Sequence, residues 1–205
     1  LESDLIIKSP GINNKTEIIK KINNLSIPII SEIEFASWFT DSFIIALTGT
    51  NGKTTTVELI NHILQDKGLK TFLGGNIGIP FSSNVLKELH ATTPNKIFHI
   101  LEVSSFQLEN IKYFKPNISI ILNIAPDHLD YHKNFNDYLG AKLKITINQD
   151  NHCHSIINEN NISKIHEKSD AKEVRFKVSE NRSFFIQGEK IELDIKNSLL
   201  NGKHN

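Results

Sequence analysis

At 205 residues, with 39% hydrophobic and 22% charged residues, the chain has the composition of a globular protein and room for one full α/β domain plus part of another. Lys+Arg 23 balances Asp+Glu 23, so no net positive field draws it to nucleic acid or a membrane surface. No apolar run approaches the roughly 20 residues of a membrane span. Arg175 and Arg182 are the only arginines, so bidentate arginine clamps on phosphate are scarce. The single cysteine, Cys153, excludes an internal disulfide and fits a reducing cytoplasm, and the polar start carries no secretory signal. With no methionine and a last residue, Asn205, directly after Gly202-Lys203-His204, the chain reads as a fragment of a longer protein.

In chain order, Asp4 to Lys8 reads as a short strand ended by the turn Ser9-Pro10-Gly11. A helix through Ile18, Ile19 and Ile22 follows, then a strand from Ile27 to Ile30. Ser31, with Glu34 three residues on, forms a capping-box-like helix start. A domain boundary is expected near Thr40 to Ser42, dividing residues 1–40 from 41–205. Beyond it, strands are expected at 43–47, 70–73, 97–102 and 118–124, with helices near 53–66, 80–89 and 134–147. Such alternation points to α/β architecture with a mostly parallel sheet covered on both faces. After about residue 150, Val174-Phe176-Val178, Phe184-Phe185-Ile186 and Ile191-Leu193-Ile195 alternate as a small β-rich meander or hairpin, with Gly188-Glu189 at a turn.

The most specific motif is Thr48-Gly49-Thr50-Asn51-Gly52-Lys53-Thr54, set between the apolar run Phe43 to Leu47 and a helical pattern through Val57, Ile60, Ile63 and Leu64. Strand, glycine turn, Lys-Thr and helix make a phosphate-binding loop. The glycines let successive N–H groups turn inward, and the helix N-terminus adds positive potential. Lys53 reaches β- and γ-phosphates, and the Thr54 hydroxyl is placed for Mg²⁺. Leu47 stands where the stricter consensus has a further glycine, so this is a short variant.

Ligands of open α/β sheets gather outside the C-terminal strand ends. There the sequence puts Glu102, Ser104 and Ser105 after one apolar run and Asp127-His128 after another. Glu102 beside a phosphate loop suits a magnesium ligand; a capping or surface glutamate is the plainer alternative. His128 is either a ligand or a hydrogen-bonded structural histidine. Lys142 falls on the apolar stripe Phe135, Tyr138, Leu139, Ile145 and Thr146, where a bare ammonium is costly to bury. Periodicity favours an amine that snorkels outward, over one that faces the site and is modified there. His152 and His154 make only half a metal site and are assigned no function.

Taken in order, Thr48 to Thr55, Gly74-Gly75-Asn76-Ile77-Gly78, Glu102-Val103-Ser104-Ser105-Phe106-Gln107-Leu108-Glu109, Asp127-His128-Leu129-Asp130 and Ala141-Lys142-Leu143-Lys144 resemble the Mur ligase family. The Ser-Ser-Phe-Gln-Leu-Glu run is most similar to its D-glutamate-adding branch, in peptidoglycan precursor synthesis. On that resemblance, residues 1–40 are the end of a Rossmann-like, UDP-binding domain. Residues 41–205 are the central ATP-binding domain, cut short at Gly202-Lys203-His204-Asn205.

The resemblance implies ATP-dependent amide formation through an acyl phosphate, joining D-glutamate to UDP-N-acetylmuramoyl-L-alanine. It implies ATP contacts from Gly49, Thr50, Asn51, Gly52, Lys53, Thr54 and Thr55. Mg²⁺ would bind at two sites, through Thr54 and Glu102 and through His128 with a carbamylated Lys142. Substrate contacts would come from Ser9, Pro10, Gly11, Asn76, Ser104 and His128. Lys53, Glu102, His128 and Lys142 would be the catalytic set. Tyr131 stands where many members have arginine. A C-terminal domain beyond Asn205 would recognise the amino acid, so these residues alone are expected not to ligate. Other Mur-type or folylpolyglutamate-type ligases, and a non-ligase P-loop switch, are the alternatives.

Overall fold

The computed structural model describes residues 3–91, 96–162, 169–178, 184–186 and 189–191. Two sheets organise it. A two-stranded parallel sheet pairs β1 (Ile6–Lys8) with β2 (Ile29–Ser31), joined by α1 (Glu17–Asn24), whose Ile19 and Ile22 are its buried positions. After α2 (Glu32–Ser37) the chain enters an eight-stranded sheet of order β10-β9-β8-β7-β6-β3-β5-β4.

β3 (Phe43–Thr48), β4 (Lys70–Gly75), β5 (Ile97–Glu102) and β6 (Ile118–Ile121) form its parallel centre, crossed over by α3 (Lys53–Asp66), α4 (Phe81–Leu89) and α5 (Ser105–Glu109). α6 (Phe135–Leu143) and a 3₁₀ turn (Lys144–Thr146) lead to β7 (His154–Asn158), then α7 (Glu159–Ile162) and β8 (Lys172–Val178). β9 (Phe184–Ile186) and β10 (Glu189–Ile191) close the edge antiparallel.

The core follows the two-residue alternation of β3. Ile44 and Ala46 face one layer with Phe81, Leu101, Ile121 and Tyr138, while Ile45 and Leu47 face the other with Val57 and Ile100. Leu47 is therefore a core residue under α3. The strand runs one residue further, to Thr48, so the loop's flexible backbone begins only at Gly49.

α2 contributes Ile33 and Ala36 to the same core layer. Its Ser31 caps the helix by accepting from the Glu34 N–H at 3.4 Å, but Glu34 does not complete the expected box. The fully buried carboxylate instead accepts from the backbone N–H groups of Lys112, Tyr113 and Phe114 at 2.8–3.0 Å, and from the Trp38 indole at 2.8 Å. It satisfies three backbone donors of a loop that no strand or helix could serve.

Four expectations need adjustment. β6 ends at Ile121, so Asn123 and Ile124 belong to the loop after it. The helix expected to reach 147 tightens into the 3₁₀ turn at Lys144. α5 was not anticipated. And the meander expected after 150, which forms from the antiparallel β8, β9 and β10, is joined to the parallel sheet because β7 pairs parallel with both β6 and β8. Leu193, Ile195 and Gly202 to Asn205 lie outside the described residues, as does Gly188.

Candidate active site at the C-terminal edge of the parallel sheet

Register brings the predicted residues to one rim. Gly75 and Leu47 both pair with Glu102, and Thr48 pairs with Ile121, so the ends of β4, β5, β3 and β6 form one row. Gly52, at φ 78°, caps α3 from the left-handed region, which lets the loop turn its amides toward the helix start. The loop is braced from β6's side. Asn123 accepts from the Thr50 and Asn51 N–H groups through Oδ1 (3.2 and 2.8 Å) and donates to the Asn51 carbonyl at 2.8 Å. The Thr50 hydroxyl meets Tyr138 Oη at 3.1 Å and accepts from the Ala125 N–H at 3.0 Å. Lys53 rests on the Thr50 carbonyl at 2.9 Å.

Thr54 and Glu102 meet directly: the hydroxyl donates to Oε2 at 2.7 Å, while Asn76 Nδ2 donates to Oε1 at 3.1 Å. Both carboxylate oxygens are thus aimed, one by a residue of α3 and the other by the turn after β4. Asn76 is fixed by the glycines before it. Its own N–H donates to the Glu102 carbonyl at 2.7 Å. A Cβ at Gly75 (φ +100°) would strike that same carbonyl, and one at Gly74 would strike the Ile79 carbonyl. A hydroxyl and a carboxylate in contact at a helix N-terminus fit Mg²⁺, which takes one or two protein oxygens and fills its shell with water and phosphate. Thr55 lies in the first turn of α3, directly after Thr54.

Lys142 is 2% exposed, which overturns the snorkelling expectation. Its amine lies under the phosphate loop, donating to the Gly49 carbonyl at 2.9 Å and the Thr48 hydroxyl at 3.4 Å, 4.7 Å from the Tyr138 ring centre. Burial, with Lys53 adding like charge, lowers its pKa to about 7 against the pull of Asp127 and Glu102. A neutral amine is therefore present near neutral pH.

His128 sits apart. It is half-exposed, in the left-handed region at φ 50°, with its ring against Phe106 at 5.0 Å between centroids and Nε2 3.6 Å from Asp127 Oδ2. Among the described residues no three His, Cys, Asp or Glu side chains converge as a metal cluster. His152 and His154 are exposed.

Ser104 is occupied by helix capping. It accepts from the Gln107 N–H at 3.4 Å and its own N–H and hydroxyl both bond Gln107 Oε1 at 3.0 Å. The Ser9-Pro10-Gly11 turn is formed, with the Ile12 N–H on the Ser9 carbonyl at 3.1 Å. Asn123 and Tyr138 were missed by sequence reasoning. An asparagine just past an apolar strand was the available signal for the first; Tyr138 looked like core.

The Mur ligase middle domain matches residues 47–202. A UDP-N-acetylmuramoylalanine–D-glutamate ligase of Christiangramia forsetii is 37% identical over 220 residues, covering 100% of this chain and 48% of the relative. Its counterpart in Bacteroides fragilis is 45% identical over 150 residues, 73% of this chain and 32% of that protein. The chain thus spans about half or less of the length of the curated relatives it matches.

Among solved structures, a UDP-N-acetylmuramate:L-alanyl-γ-D-glutamyl-meso-diaminopimelate ligase from Neisseria meningitides superposes at TM-score 0.60 with 15% identity, over 99% of this chain and 70% of that one. A MurF ligase from Thermotoga maritima, solved with ADP, gives 0.55 at 15% identity, over 84% and 46%. Fold and sequence agree, and the chain belongs to the Mur ligase family.

Proposed function

We propose that the chain is part of an ATP-dependent ligase that joins D-glutamate to UDP-N-acetylmuramoyl-L-alanine, a cytoplasmic step of peptidoglycan precursor synthesis. In this reading residues 1–40 end the UDP-binding domain and 41–205 form the ATP-binding one. The observation that carries it is the meeting of Thr54 and Glu102 at 2.7 Å on the rim of the phosphate loop, with the Lys142 amine buried beneath that loop. The branch is suggested by the relatives, which are named as D-glutamate ligases.

The residues divide the work. The amides of Gly49 to Thr55 and the Lys53 ammonium bind the ATP phosphates. Thr54 and Glu102 would hold one Mg²⁺, whose chemistry there would be charge neutralisation on a transferring phosphoryl group. The carboxylate of the substrate alanine takes that group, and the D-glutamate amine then displaces phosphate. Asn76 and Ser104 orient the acceptor, and Ser9-Pro10-Gly11 holds the uridine diphosphate end. The neutral Lys142 amine can add to carbon dioxide, forming an N–C bond and releasing one proton to water. The resulting carbamate would serve the second Mg²⁺ with His128. Its anionic oxygens suit the place better than an ammonium beside Lys53 does.

Phosphate release by the complete gene product, with ATP, UDP-N-acetylmuramoyl-L-alanine and a panel of amino acids, tests the reading. Release is expected with D-glutamate. Release with a diamino acid and none with D-glutamate would reassign the branch, and release that ignores the UDP-linked substrate would favour a nucleotide switch.

A further inference from the structure

Glu109 lies outside the phosphate site, yet three parts of the chain converge on it. Asn14 Nδ2 donates to its Oε2 at 2.9 Å, and the Tyr131 hydroxyl donates to the same oxygen at 2.8 Å. Oε1 faces His132 Nδ1 at 3.5 Å, and the other ring nitrogen of His132 is 3.0 Å from the buried Ser105 hydroxyl. The backbone carbonyl of Glu109 accepts from Lys144 Nζ at 2.8 Å, two residues past Lys142.

Each arm of this network ends on an element that the ligase reading assigns to substrate. On one side Asn14 Oδ1 accepts from Lys8 Nζ at 2.6 Å, and Lys8 also donates to the Ile12 carbonyl at 3.3 Å. These bonds tie together the two sides of the Ser9-Pro10-Gly11 turn. Lys8 is only 2% exposed; burial lowers its pKa, and Glu109 is the carboxylate that opposes this. A buried ammonium in the N-terminal sheet is thus compensated by a carboxylate at the end of α5.

On the other side, the N–H groups of Tyr131 and His132 both bond the His128 carbonyl, at 3.1 and 3.0 Å. The Phe106 ring packs against His128, Tyr131 and His132 with centroids 4.5–5.6 Å away. Burial and the bond to Glu109 hold the Tyr131 phenol well above its ordinary pKa, so it remains a donor. The His128 turn is therefore one rigid piece, anchored through Tyr131.

We propose that Glu109 is a positioning residue that locks the Ser9-Pro10-Gly11 turn to the His128 turn, fixing their separation and with it the length of UDP-linked substrate that fits between them. The inference rests on the ligase reading, in which these two turns hold opposite ends of one substrate. An ion pair serving only stability would show no such preference among ligands.

The test uses the complete gene product with Glu109→Ala, Tyr131→Phe and Tyr131→Arg, the last keeping a donor toward Glu109. Glu109→Ala and Tyr131→Phe are expected to raise KM for UDP-N-acetylmuramoyl-L-alanine about tenfold while KM for ATP stays within about twofold, and Tyr131→Arg to leave both KM values close to wild type. Unchanged KM values, or both rising together with a falling Tm, would overturn the proposal. Hydrogen exchange reads the link without turnover. In Glu109→Ala the Ile12 amide and the Tyr131 and His132 amides should lose protection together. Loss at one turn alone would break the proposed lock even if the ligase reading stands. Wild-type protein inert toward the UDP-linked substrate, yet with both turns loosening together, would sink the ligase reading and spare the lock.

Discussion

The two halves of the candidate site differ in how finished they are. On the phosphate side the key side chains have partners: Thr54 on Glu102, Glu102 on Asn76 and Lys53 on Thr50, with the Thr50 and Asn51 amides on Asn123. On the other side His128 is half-exposed and strained, while Lys142 is buried with a carbonyl and a hydroxyl but no anion in contact. The first half is built from backbone ends held in register by the sheet, and is pre-organised before any ligand arrives. The second is built from a loop and a helix side chain and lacks the negative charge its lysine calls for. Pre-organisation here tracks distance from the parallel sheet.

The largest effect expected from this difference lies at Glu102. Glu102→Gln keeps an acceptor for Thr54 and the shape of the strand end, but removes the charge. A loss of about 10²–10³-fold in kcat, with little change in Tm, is expected in the ligation assay. Retained activity would mean that the finished half is only structural. The comparison would then have to be turned around, with the chemistry assigned to the His128 side.

How far these halves could be read from sequence follows the same divide. The phosphate loop, β5 ending on Glu102 and the glycines before Asn76 are local signals: alternation, a turn and a terminal polar residue within a few positions. The parallel centre was legible because β3 is a continuous apolar run that feeds two core layers, and the crossovers α3 and α4 are long enough to carry a helix period. Contacts between distant segments were not. Glu34 finds its three amides some 80 residues away, at Lys112 to Phe114, and no local pattern could foretell that. Lys142 shared a stripe with apolar residues whichever way its amine turned; the deciding partner, Gly49, is 93 residues earlier. α5 spans five residues, too few for a helical period, and only its Ser104–Gln107 box could have announced it. For β8 the alternation was visible and it does open a meander with β9, but alternation could not show that its other edge pairs parallel with β7.

The second half is broken most directly by Lys142→Ala. Activity should fall by about 10–100-fold and return in part with added short carboxylates, which would place an anion where the carbamate stood. Full activity without rescue would leave the buried amine as a brace for the Gly49 carbonyl and nothing more. Rescue by short alkylamines and not by carboxylates would say that the unmodified amine is the working form.

The smallest effect is the most specific to the buried amine. Its folded pKa is about 7 and its ordinary value 10.5, so between these limits the unfolded chain binds more protons than the folded one. Stability must then rise with pH across that window: the penalty is complete below about 7 and gone above 10.5. From pH 7 to pH 8 the gain from this one group comes to about 1 kcal/mol. Lys142→Met removes the titration while filling the space, so urea unfolding should show the mutant losing that increment. Part of any slope belongs to Lys8, whose pKa is also lowered, which is why the mutant difference rather than the wild-type slope carries the result. A carbamate strengthens the argument. Once carbon dioxide is bound the folded amine takes up no proton while the unfolded one still does, so bicarbonate in the buffer should steepen the wild-type slope around and below pH 7 and leave Lys142→Met unmoved. An identical slope in both proteins, with or without bicarbonate, would mean that Lys142 reaches water and that the contrast between the two halves is far shallower than its burial implies.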